Sequence, residues 1–417
     1  MTNSETKNFS QNVSSSYHLE DRNKNVSKLR FKGYNDEWIE KTFDEIFQII
    51  GNNTLSRDCL NYECMGTKNI HYGDILVKYN TCIDEDYCEM PIINSEISLD
   101  KISKENYLKQ GDIVIADTAE DYTVGKTCEV INIHSKILSG LHTIPSRPKF
   151  HFAKGFLGYY FNSNKYHDRL IPLITGIKVS SINKKEIKKT IVKFPTLPEQ
   201  EKIASFLTLI DKKIEKQKEL VEILKKYKRG LLSSIFSQKL RFKDDNGNDY
   251  PAWEEKRLEN ILKIKHGKSQ KEIECNNGKY PILATGGEIG RTNSYLWDKP
   301  CVLIGRKGTI DKPQYMDTPF WTVDTLFYSE VFKENNAKYL YYLFNTINWK
   351  KYDESTGVPS LSAKTIERIK VTLSINYSEQ LAISKILSKF DDKIQQEEFI
   401  LKKLQNYKKG LLQQMFI

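Results

Sequence analysis

The sequence predicts a mixed α and β fold (α+β class), in which two globular α/β domains are separated by two long helices that form a coiled coil. The first observation is a repeat, because residues 199–236 align with residues 379–416 without a gap and 14 of the 38 positions are identical. The second is a heptad of apolar residues in both copies. The third is a series of short strand-like runs, bounded by Gly and Asp turns, before each copy. A repeat of this length indicates a chain built twice to one plan.

Each copy of the repeat has apolar residues at alternating steps of four and three. Eight of ten such positions are apolar over about five heptads, which is typical of a coiled-coil seam. The predicted seam residues are Ile203, Leu207, Ile210, Ile214, Val221, Leu224 and Leu231 in the first copy, and Ile383, Leu387, Phe390, Ile394, Leu401, Leu404 and Leu411 in the second. Polar residues interrupt both seams at equivalent positions, Gln217 and Lys228 in one and Glu397 and Lys408 in the other. Helices in a bundle core would give a similar pattern, and that alternative stays open.

Both long helices have the same predicted start. Thr196 and Asn376 each precede a glutamate by three residues, Glu199 and Glu379, which is the spacing of a capping box. At 1.5 Å per residue, each helix is roughly 60 Å long. The simplest partner for each helix is the other, because their seams match in length and in interruptions.

The parts of the chain follow the same order in both halves. A Leu-Arg-Phe-Lys sequence at 29–32 recurs at 240–243, and each copy is followed by a tryptophan, Trp38 or Trp253. The predicted parts are a flexible tail (1–27), a first globular domain (28–195), a first long helix (196–237), a second globular domain (238–375) and a second long helix (376–417). If the halves are equivalent in space, the second long helix ends near Leu29. The chain then has a cyclic plan, in which its last helix meets its first start motif as the first helix meets the second start motif.

Each globular domain is predicted to contain short strands and one buried aromatic helix. Candidate strands are 74–78, 112–116, 193–194 and 300–304. The aromatic helices are predicted within 149–163 and 335–349, at equivalent places in the two halves.

Composition and charge indicate a soluble protein with a polyanionic partner. The chain has 64 Lys+Arg against 54 Asp+Glu, a net charge of +10, although a lysine-rich solvated helix face could account for part of it. No apolar run approaches the ~20 residues that span a bilayer, and the polar amino terminus lacks a signal core. We therefore expect a cytoplasmic location and no membrane partner.

Seven cysteines lie at 59, 64, 82, 88, 128, 275 and 301, without a CxxC pair. Cys59, Cys64, Cys82 and Cys88 could close a tetrahedral metal site, but their spacing matches no zinc framework. Reduced thiols and no bound metal are the favoured interpretation.

Motifs for catalysis are missing from the sequence. The Gly-Lys-Ser at 267–269 is not a phosphate-binding loop, because Leu262 stands where the first glycine of that motif is required. No HExxH, GxSxG or GxGxxG occurs, nor a motif typical of DNA methyltransferases or nucleases. The chain is therefore predicted to be no enzyme on its own.

Polar and basic loops are the candidate nucleic-acid contacts. Arg306 and Lys307 stand between two glycines after an apolar strand, where backbone can approach a phosphate and arginine can pair with guanine. The first half has Asp117 in the corresponding loop, and a carboxylate can accept from cytosine. The DNA-binding candidates are Lys78, Asp117, Thr118, Lys126, His142, Arg147, Ser180 and Ser181 in the first half, and Lys268, Thr285, Gly286, Arg306, Lys307, Thr309, Ser360, Ser362 and Lys364 in the second. Ordinary strand-connecting turns remain the alternative for any one of them.

These features together resemble the specificity subunit of type I restriction-modification systems. The resemblance covers about residues 29–417 and depends on the order, repetition and divergence of the motifs. It implies two target recognition domains, each binding one half of a bipartite sequence in double-stranded DNA. It also implies docking of two methyltransferase subunits and, through them, two ATP-driven translocase-nuclease subunits. S-adenosylmethionine, ATP and magnesium are then cofactors of the partners, and none is bound by this chain.

The resemblance also gives a direction to the helix pair. Duplex DNA has its local two-fold axes perpendicular to its length, so a pseudo-two-fold protein presents equivalent domains only if its two long helices run antiparallel. The domains are then expected about one helical turn apart, ~34 Å. A coiled-coil scaffold that binds proteins only is the alternative function.

Overall fold

The computed structural model describes residues 26–62, 65–176 and 179–417. The chain divides into two compact units, Met1–Lys216 with Leu401–Ile417, and Gln217–Ile400. Each unit therefore contains one globular domain and part of each long helix. Nearly all of the predicted tail, and Cys64 of the cysteine cluster, lie outside the described residues.

The first unit contains thirteen described strands and five short helices before the first long helix. The strands are β1 (Ile39–Thr42), β2 (Phe47–Ile49), β3 (Leu60–Asn61), β4 (Lys68–Ile70), β5 (Cys82–Asp84), β6 (Ile92–Ile93), β7 (Ile113–Ala116), β8 (Thr118–Ala119), β9 (Thr127–Ile131), β10 (Ile137–Ser139), β11 (Thr143–Pro148), β12 (Ser180–Ser181) and β13 (Ile191–Phe194). The helices are α1 (Phe43–Ile46), α2 (Tyr72–Val77), α3 (Phe156–Phe161), α4 (Asn164–Leu170), α5 (Lys184–Lys189) and the long helix α6 (Leu197–Phe236). Short 3-10 turns occur at Arg57–Cys59, Lys104–Asn106 and Ile171–Leu173.

The second unit repeats this order with fewer strands. They are β14 (Glu254–Arg257), β15 (Leu262–Lys265), β16 (Tyr280–Ala284), β17 (Gly287–Thr292), β18 (Cys301–Gly305), β19 (Gln314–Met316), β20 (Trp321–Thr322), β21 (Leu326–Val331) and β22 (Lys370–Leu373). The helices are α7 (Ala337–Phe344), α8 (Ala363–Arg368) and the long helix α9 (Tyr377–Met415), with 3-10 turns at Leu258–Asn260 and Trp349–Tyr352.

Each unit has its own central sheet, and the two sheets have corresponding strands. The strand order is β2-β11-β7-β9-β5 in the first unit and β15-β21-β18-β19 in the second, so β7 corresponds to β18 and β11 to β21. A two-stranded antiparallel pair accompanies each, β1 with β13 and β14 with β22. The remaining sheets differ, β10-β4-β6-β3 in the first unit and β17-β16-β20 in the second. The shared elements therefore form a common scaffold, and the differing sheets are what varies between the halves.

The predicted aromatic helices are confirmed as α3 and α7, and they form the centre of each unit. All six residues of α3 are buried, because it packs between the sheet and the start of α6. Each unit also has a tryptophan from its start motif beside the last turn of a long helix. The ring centres lie 6.3 Å apart for Trp38 and Phe416 and 5.9 Å apart for Trp253 and Phe236.

The candidate strand at 74–78 is wrong, since these residues lie mostly in helix α2. His71 caps this helix, because its Nδ1 accepts a hydrogen bond from the Gly73 N–H at 3.2 Å. Asp74 is buried, and its carboxylate accepts hydrogen bonds from Nη1 and Nη2 of Arg57. The apolar run has only three residues, Ile75–Val77, and such a short run fits a strand and a short helix equally well.

Within each unit the two long helices run antiparallel, as predicted. In the first unit the beginning of α6 packs with the end of α9, where Lys408 Nζ lies 2.6 Å from Asp211 Oδ1. In the second unit the end of α6 packs with the beginning of α9, where Lys228 pairs with Asp391. None of the fourteen seam residues is exposed.

The polar interruptions of the seams have a defined role in this packing. The Tyr159 hydroxyl donates to Asp211 at 2.9 Å, and Lys408 Nζ lies 5.5 Å from the centre of the Tyr159 ring. Tyr342 makes the equivalent contacts with Asp391 and Lys228 in the second unit. Each lysine therefore joins both long helices to the aromatic helix of its own unit, which an apolar seam residue could not do.

The cyclic plan is confirmed by the start motifs. The Leu29 N–H donates to the Gln414 carbonyl at 2.9 Å, and the Leu240 N–H donates to the Ser234 carbonyl at 3.0 Å. Leu29 is equivalent to Leu240 and Gln414 to Ser234 in the repeat. In the second unit the chain therefore continues from the long helix into the start motif, whereas in the first unit the end of the long helix and the start motif meet only through non-covalent contacts.

Among the described residues, every helix is too short or too polar to span a bilayer.

A circular permutant should therefore fold. We expect a chain with Ile417 joined to Lys28 by a short Gly/Ser linker, and opened between Gln238 and Lys239, to melt within about 5 °C of the parent chain. Circular dichroism during heating measures this. A control opened within α6, between Lys218 and Glu219, should lose stability, and equal behaviour of the two permutants would contradict the cyclic plan.

Candidate nucleic-acid interface

A loop after β7 in the first unit brings several predicted residues together. We name residues 117–119 loop A. The Asp117 N–H donates to the His142 carbonyl at 3.1 Å, and the Asp117 carbonyl accepts from the Ile182 N–H at 2.9 Å. Strand β8 of the loop pairs with β12, which places Ser181 opposite Thr118. Loop A is therefore held on both sides by backbone hydrogen bonds.

The side chains of loop A form a small polar cluster. The Thr118 hydroxyl donates to Asp117 Oδ1 at 2.8 Å, and His142 Nδ1 lies 3.4 Å from the same oxygen. His142 has a φ of +55°, a backbone conformation that costs energy in a residue other than glycine and occurs often at functional sites. The Tyr72 ring stands edge-on to His142, with 5.3 Å between ring centres. The cluster offers a carboxylate, a hydroxyl and a half-exposed imidazole.

The second unit has the equivalent loop after β18, and we name residues 306–309 loop B. The Arg306 N–H donates to the Thr325 carbonyl at 2.8 Å, and the Arg306 carbonyl accepts from the Leu361 N–H at 2.9 Å. The backbone of Lys307 pairs with that of Ser360 in an isolated antiparallel β-bridge. Arg306 thus occupies in loop B the place that Asp117 occupies in loop A, with the same backbone hydrogen bonds.

Glycines allow this turn of loop B. Gly308 has a φ of +82°, and a Cβ on Gly305 would lie 2.2 Å from the Thr309 carbonyl oxygen. A Cβ on Gly308 would meet Thr285 Oγ1 at 3.9 Å, so the predicted Thr285-Gly286 turn lies beside loop B. Side chains at 305 or 308 would displace the loop.

Comparison with known proteins places the chain in a family. The model of the type I restriction modification DNA specificity domain matches twice, at residues 35–226 and 251–406. The chain belongs to this family. Each match covers one globular domain and most of the long helix that follows it, and the resemblance drawn from the sequence is confirmed.

Individual relatives are distant members of the same specificity family. The type I restriction enzyme MjaIX specificity subunit of Methanocaldococcus jannaschii is 29% identical over 146 residues, which is 33% of this chain and only 34% of that relative. The putative MjaX specificity subunit of the same organism is 24% identical over 358 residues, 77% of this chain and 83% of the relative.

Two solved structures share the fold of this specificity-domain chain. The S subunit of a type I restriction-modification system from M. genitalium has a TM-score of 0.61 at 19% identity and covers 94% of this chain and 99% of its own. A structure described as showing complex assembly and conformational transition of the type I R-M system has a TM-score of 0.57 at 13% identity, over 91% and 97%.

Two candidate DNA contacts of the first recognition domain, Lys126 and Arg147, have partners within the domain. Lys126 Nζ donates to the carbonyls of Leu76 and Tyr79 at 3.0 Å each, and burial lowers the pKa of Lys126. Arg147 binds the buried Asp112 through two nitrogens at 2.7 and 2.9 Å. These two cations stabilise the domain interior, and a DNA contact by either of them stays a prediction.

Lys78 is also part of local structure. It ends helix α2, and its Nζ lies 5.0 Å from the centre of the Tyr62 ring and 3.4 Å from Glu89. It remains an exposed cation beside the recognition domain rather than part of loop A.

The remaining candidates of the second recognition domain divide into two groups. Ser362 caps helix α8, because its Oγ accepts from the Thr365 N–H at 3.1 Å, and Lys364 is exposed in the first turn of that helix. Lys268 is exposed, and its backbone is bonded to β20 through the Thr322 carbonyl at 2.8 Å. Ser362 therefore has a structural explanation, whereas Lys364 and Lys268 remain available cations.

Two residues that contact the loop A and loop B clusters were missed in the sequence. Tyr72 approaches His142 only through the fold, and nothing in its local sequence marks it. Asp324 pairs with the Arg306 guanidinium, and it belongs to a short polar turn between β20 and β21 that could have been recognised.

A cavity of about 500 Å³ in the first unit is a separate feature. It is lined by Lys109, Arg147, His151, Lys154 and Glu129, and by no residue of loop A. Glu129 is buried there and accepts from the N–H groups of Gly155 and Gly158 at 2.7 and 2.9 Å. Burial raises the pKa of the Glu129 carboxyl to about 7. These bonds fix the start of α3, which is a structural task.

Proposed function

We propose that this chain is the sequence-specific DNA-binding subunit of a type I restriction-modification complex, in which loop A and loop B each recognise one half of a bipartite target. The observation that supports this best is the equivalence of the two loops. They have the same backbone hydrogen bonds at Asp117 and Arg306 but opposite side-chain charge. Two recognition domains that bind different half-sites need the same loop backbone with different side chains, and loops A and B have this arrangement.

The chemistry of the loops fits base edges in the major groove. Arginine donates in bidentate fashion to O6 and N7 of guanine, whereas Asp117 can accept from the amino group of cytosine. Both loops are fixed at their backbone, so little conformational freedom is lost on binding. The net charge of +10 supports contact with the phosphates, which contribute affinity without sequence preference.

In this proposal the chain has no catalytic activity of its own. It recruits two methyltransferase subunits and, through them, two translocase-nuclease subunits, which bring S-adenosylmethionine, ATP and magnesium. Among the described residues no group of three His, Cys, Asp or Glu side chains could hold a metal. Methyl transfer to DNA by the purified chain alone would contradict this assignment.

Selection from a library of random DNA duplexes tests the function. The chain, co-purified with its methyltransferase partner, should enrich two short motifs separated by a fixed gap. Its affinity should fall steeply between 50 and 200 mM salt, by about 10³-fold or more for six phosphate contacts. A scaffold that binds proteins only would enrich no motif and would not be retained on heparin.

Loop B gives the sharpest mutational prediction for the function. Arg306→Ala should cost about 1–3 kcal/mol of discrimination at one base position, because a bidentate contact to guanine is lost. Lys307→Ala should weaken binding to all sequences evenly and flatten the salt dependence, since it removes one charge. The same duplex selection measures both variants. Unchanged base preference in Arg306→Ala would remove this residue from the recognition surface.

A further inference from the structure

The Arg306 side chain of loop B is paired within its own domain. Its Nη1 forms an ion pair with the Asp324 carboxylate and lies 3.4 Å from the Asp324 carbonyl oxygen. The next residue, Thr325, accepts the hydrogen bond from the Arg306 N–H. The turn before β21 therefore holds both the backbone and the guanidinium of Arg306.

The pair uses one edge of the guanidinium only. Among the described residues, no acceptor is bonded to Nη2 or Nε of Arg306. These nitrogens remain available as donors, and Arg306 is 30% exposed while Asp324 is 65% exposed. The exposed carboxylate can hold the arginine while the other nitrogens face a ligand.

Loop A contains a similar pair, with the carboxylate and the nitrogen-bearing side chain in exchanged places. There the carboxylate, Asp117, is on the loop, and the imidazole of His142 directly precedes β11. In loop B the base is on the loop and the carboxylate precedes the strand. A carboxylate beside a nitrogen base thus occurs at the same junction in both units, which is hard to explain by an incidental surface ion pair.

We propose that Asp324 is a positioning residue that sets the guanine specificity of Arg306. This inference rests on the proposed function, because it needs loop B to contact bases. The carboxylate fixes the orientation of the guanidinium before binding, so less rotamer freedom is lost when the remaining donors reach O6 and N7. Its negative charge also repels phosphates, which lowers the affinity for unrelated sequences.

The proposal predicts effects of opposite sign from one substitution. Asp324→Asn removes the charge but keeps the size of the side chain. Discrimination for guanine at one position should fall about 3- to 10-fold, the effect of losing one hydrogen bond of ordinary net strength. Affinity for an unrelated duplex should rise or stay equal, because a negative charge near the phosphates has been removed. A residue with only a structural role would lower both.

The experiment is the random-duplex selection with the full chain and its methyltransferase partner, followed by titration of one selected and one unrelated duplex. The variants are Asp324→Asn, Arg306→Ala and the double substitution. If Asp324 acts through Arg306, the double variant should discriminate no worse than Arg306→Ala alone, since the effects of coupled residues are not additive. Glu330→Gln is the matched control, because Glu330 pairs with Lys265 at 3.0 Å on β21 outside loop B.

The possible results separate this inference from the proposed function. Additive effects in the double variant, or unchanged discrimination in Asp324→Asn, would overturn the role of Asp324. If Asp324→Asn lost base preference in both half-sites and also melted at a lower temperature, Asp324 would have a structural role, and the proposed positioning role would be overturned as well. If the parent chain itself shows no base preference, the proposed function fails, whatever the variants do.

Discussion

Replacing Leu207 or Leu387 by alanine should lower the free energy of unfolding by about 2–5 kcal/mol. These equivalent leucines are both 0% exposed, and each belongs to the core of its own unit. Alanine leaves a cavity there, because α6 and α9 are fixed by the contacts of Lys408 and Lys228 and cannot collapse into it. Unfolding in guanidinium chloride, followed by circular dichroism, measures the loss.

The matched control lies on the same helix. Leu209 is 56% exposed, and Leu209→Ala should change the stability by no more than about 0.5 kcal/mol. Leu224 and Leu404 are only partly buried, so alanine at these positions should cost less than at Leu207. If Leu207→Ala and Leu209→Ala unfolded at the same denaturant concentration, the packing of the long helices would be contradicted.

Arg30→Ala should destabilise the first unit by about 3–5 kcal/mol, because it leaves a buried carboxylate without its partner. Arg30 donates to both oxygens of Glu199 at 2.7 Å, and the Glu199 side chain is 1% exposed. Arg30→Lys should recover only part of the loss, since an ammonium cannot make the bidentate contact. Thermal unfolding measures both variants, with the exposed Lys32→Ala as control.

The equivalent arginine of the second unit gives a graded comparison. Arg241 donates to Glu379, but this carboxylate also accepts from Trp253 Nε1 at 3.0 Å and from the Ser374 hydroxyl at 2.5 Å. Arg241→Ala should therefore cost less than Arg30→Ala, because the carboxylate keeps two donors. A larger loss for Arg241→Ala would contradict this account of the start motifs.

The long helices and the cyclic plan could be predicted from the sequence because their signals are local or repeated. The heptads mark one face of each helix, and the equivalence of Leu29 with Leu240 places the end of the second helix. The spacing of Glu199 and Glu379 predicted a capping box, but both carboxylates instead accept hydrogen bonds from arginines more than 130 residues away. A contact over such a separation leaves no trace in either local sequence.

The recognition loops were predicted only in part, for a different physical reason. Arg306 stands out because glycines flank its loop, and Asp117 stands out because it directly follows an apolar strand. Exposure is not visible in a sequence, so the buried salt bridge of Arg147 and the anchored ammonium of Lys126 looked the same as free cations. Asp324 escaped notice because its importance depends on β20 and β21 bringing it beside Arg306.

The most direct test of the central claim, that one chain recognises two half-sites with two separate loops, is methylation mapping of the host genome. With the gene present, methylated sites should share two short motifs separated by a constant gap, and deletion of the gene should abolish methylation at all of them. In a host with Arg306→Ala, the base preference of one motif should relax while the other stays unchanged. Methylation that persists after deletion, or altered bases in both motifs after this single substitution, would contradict the account.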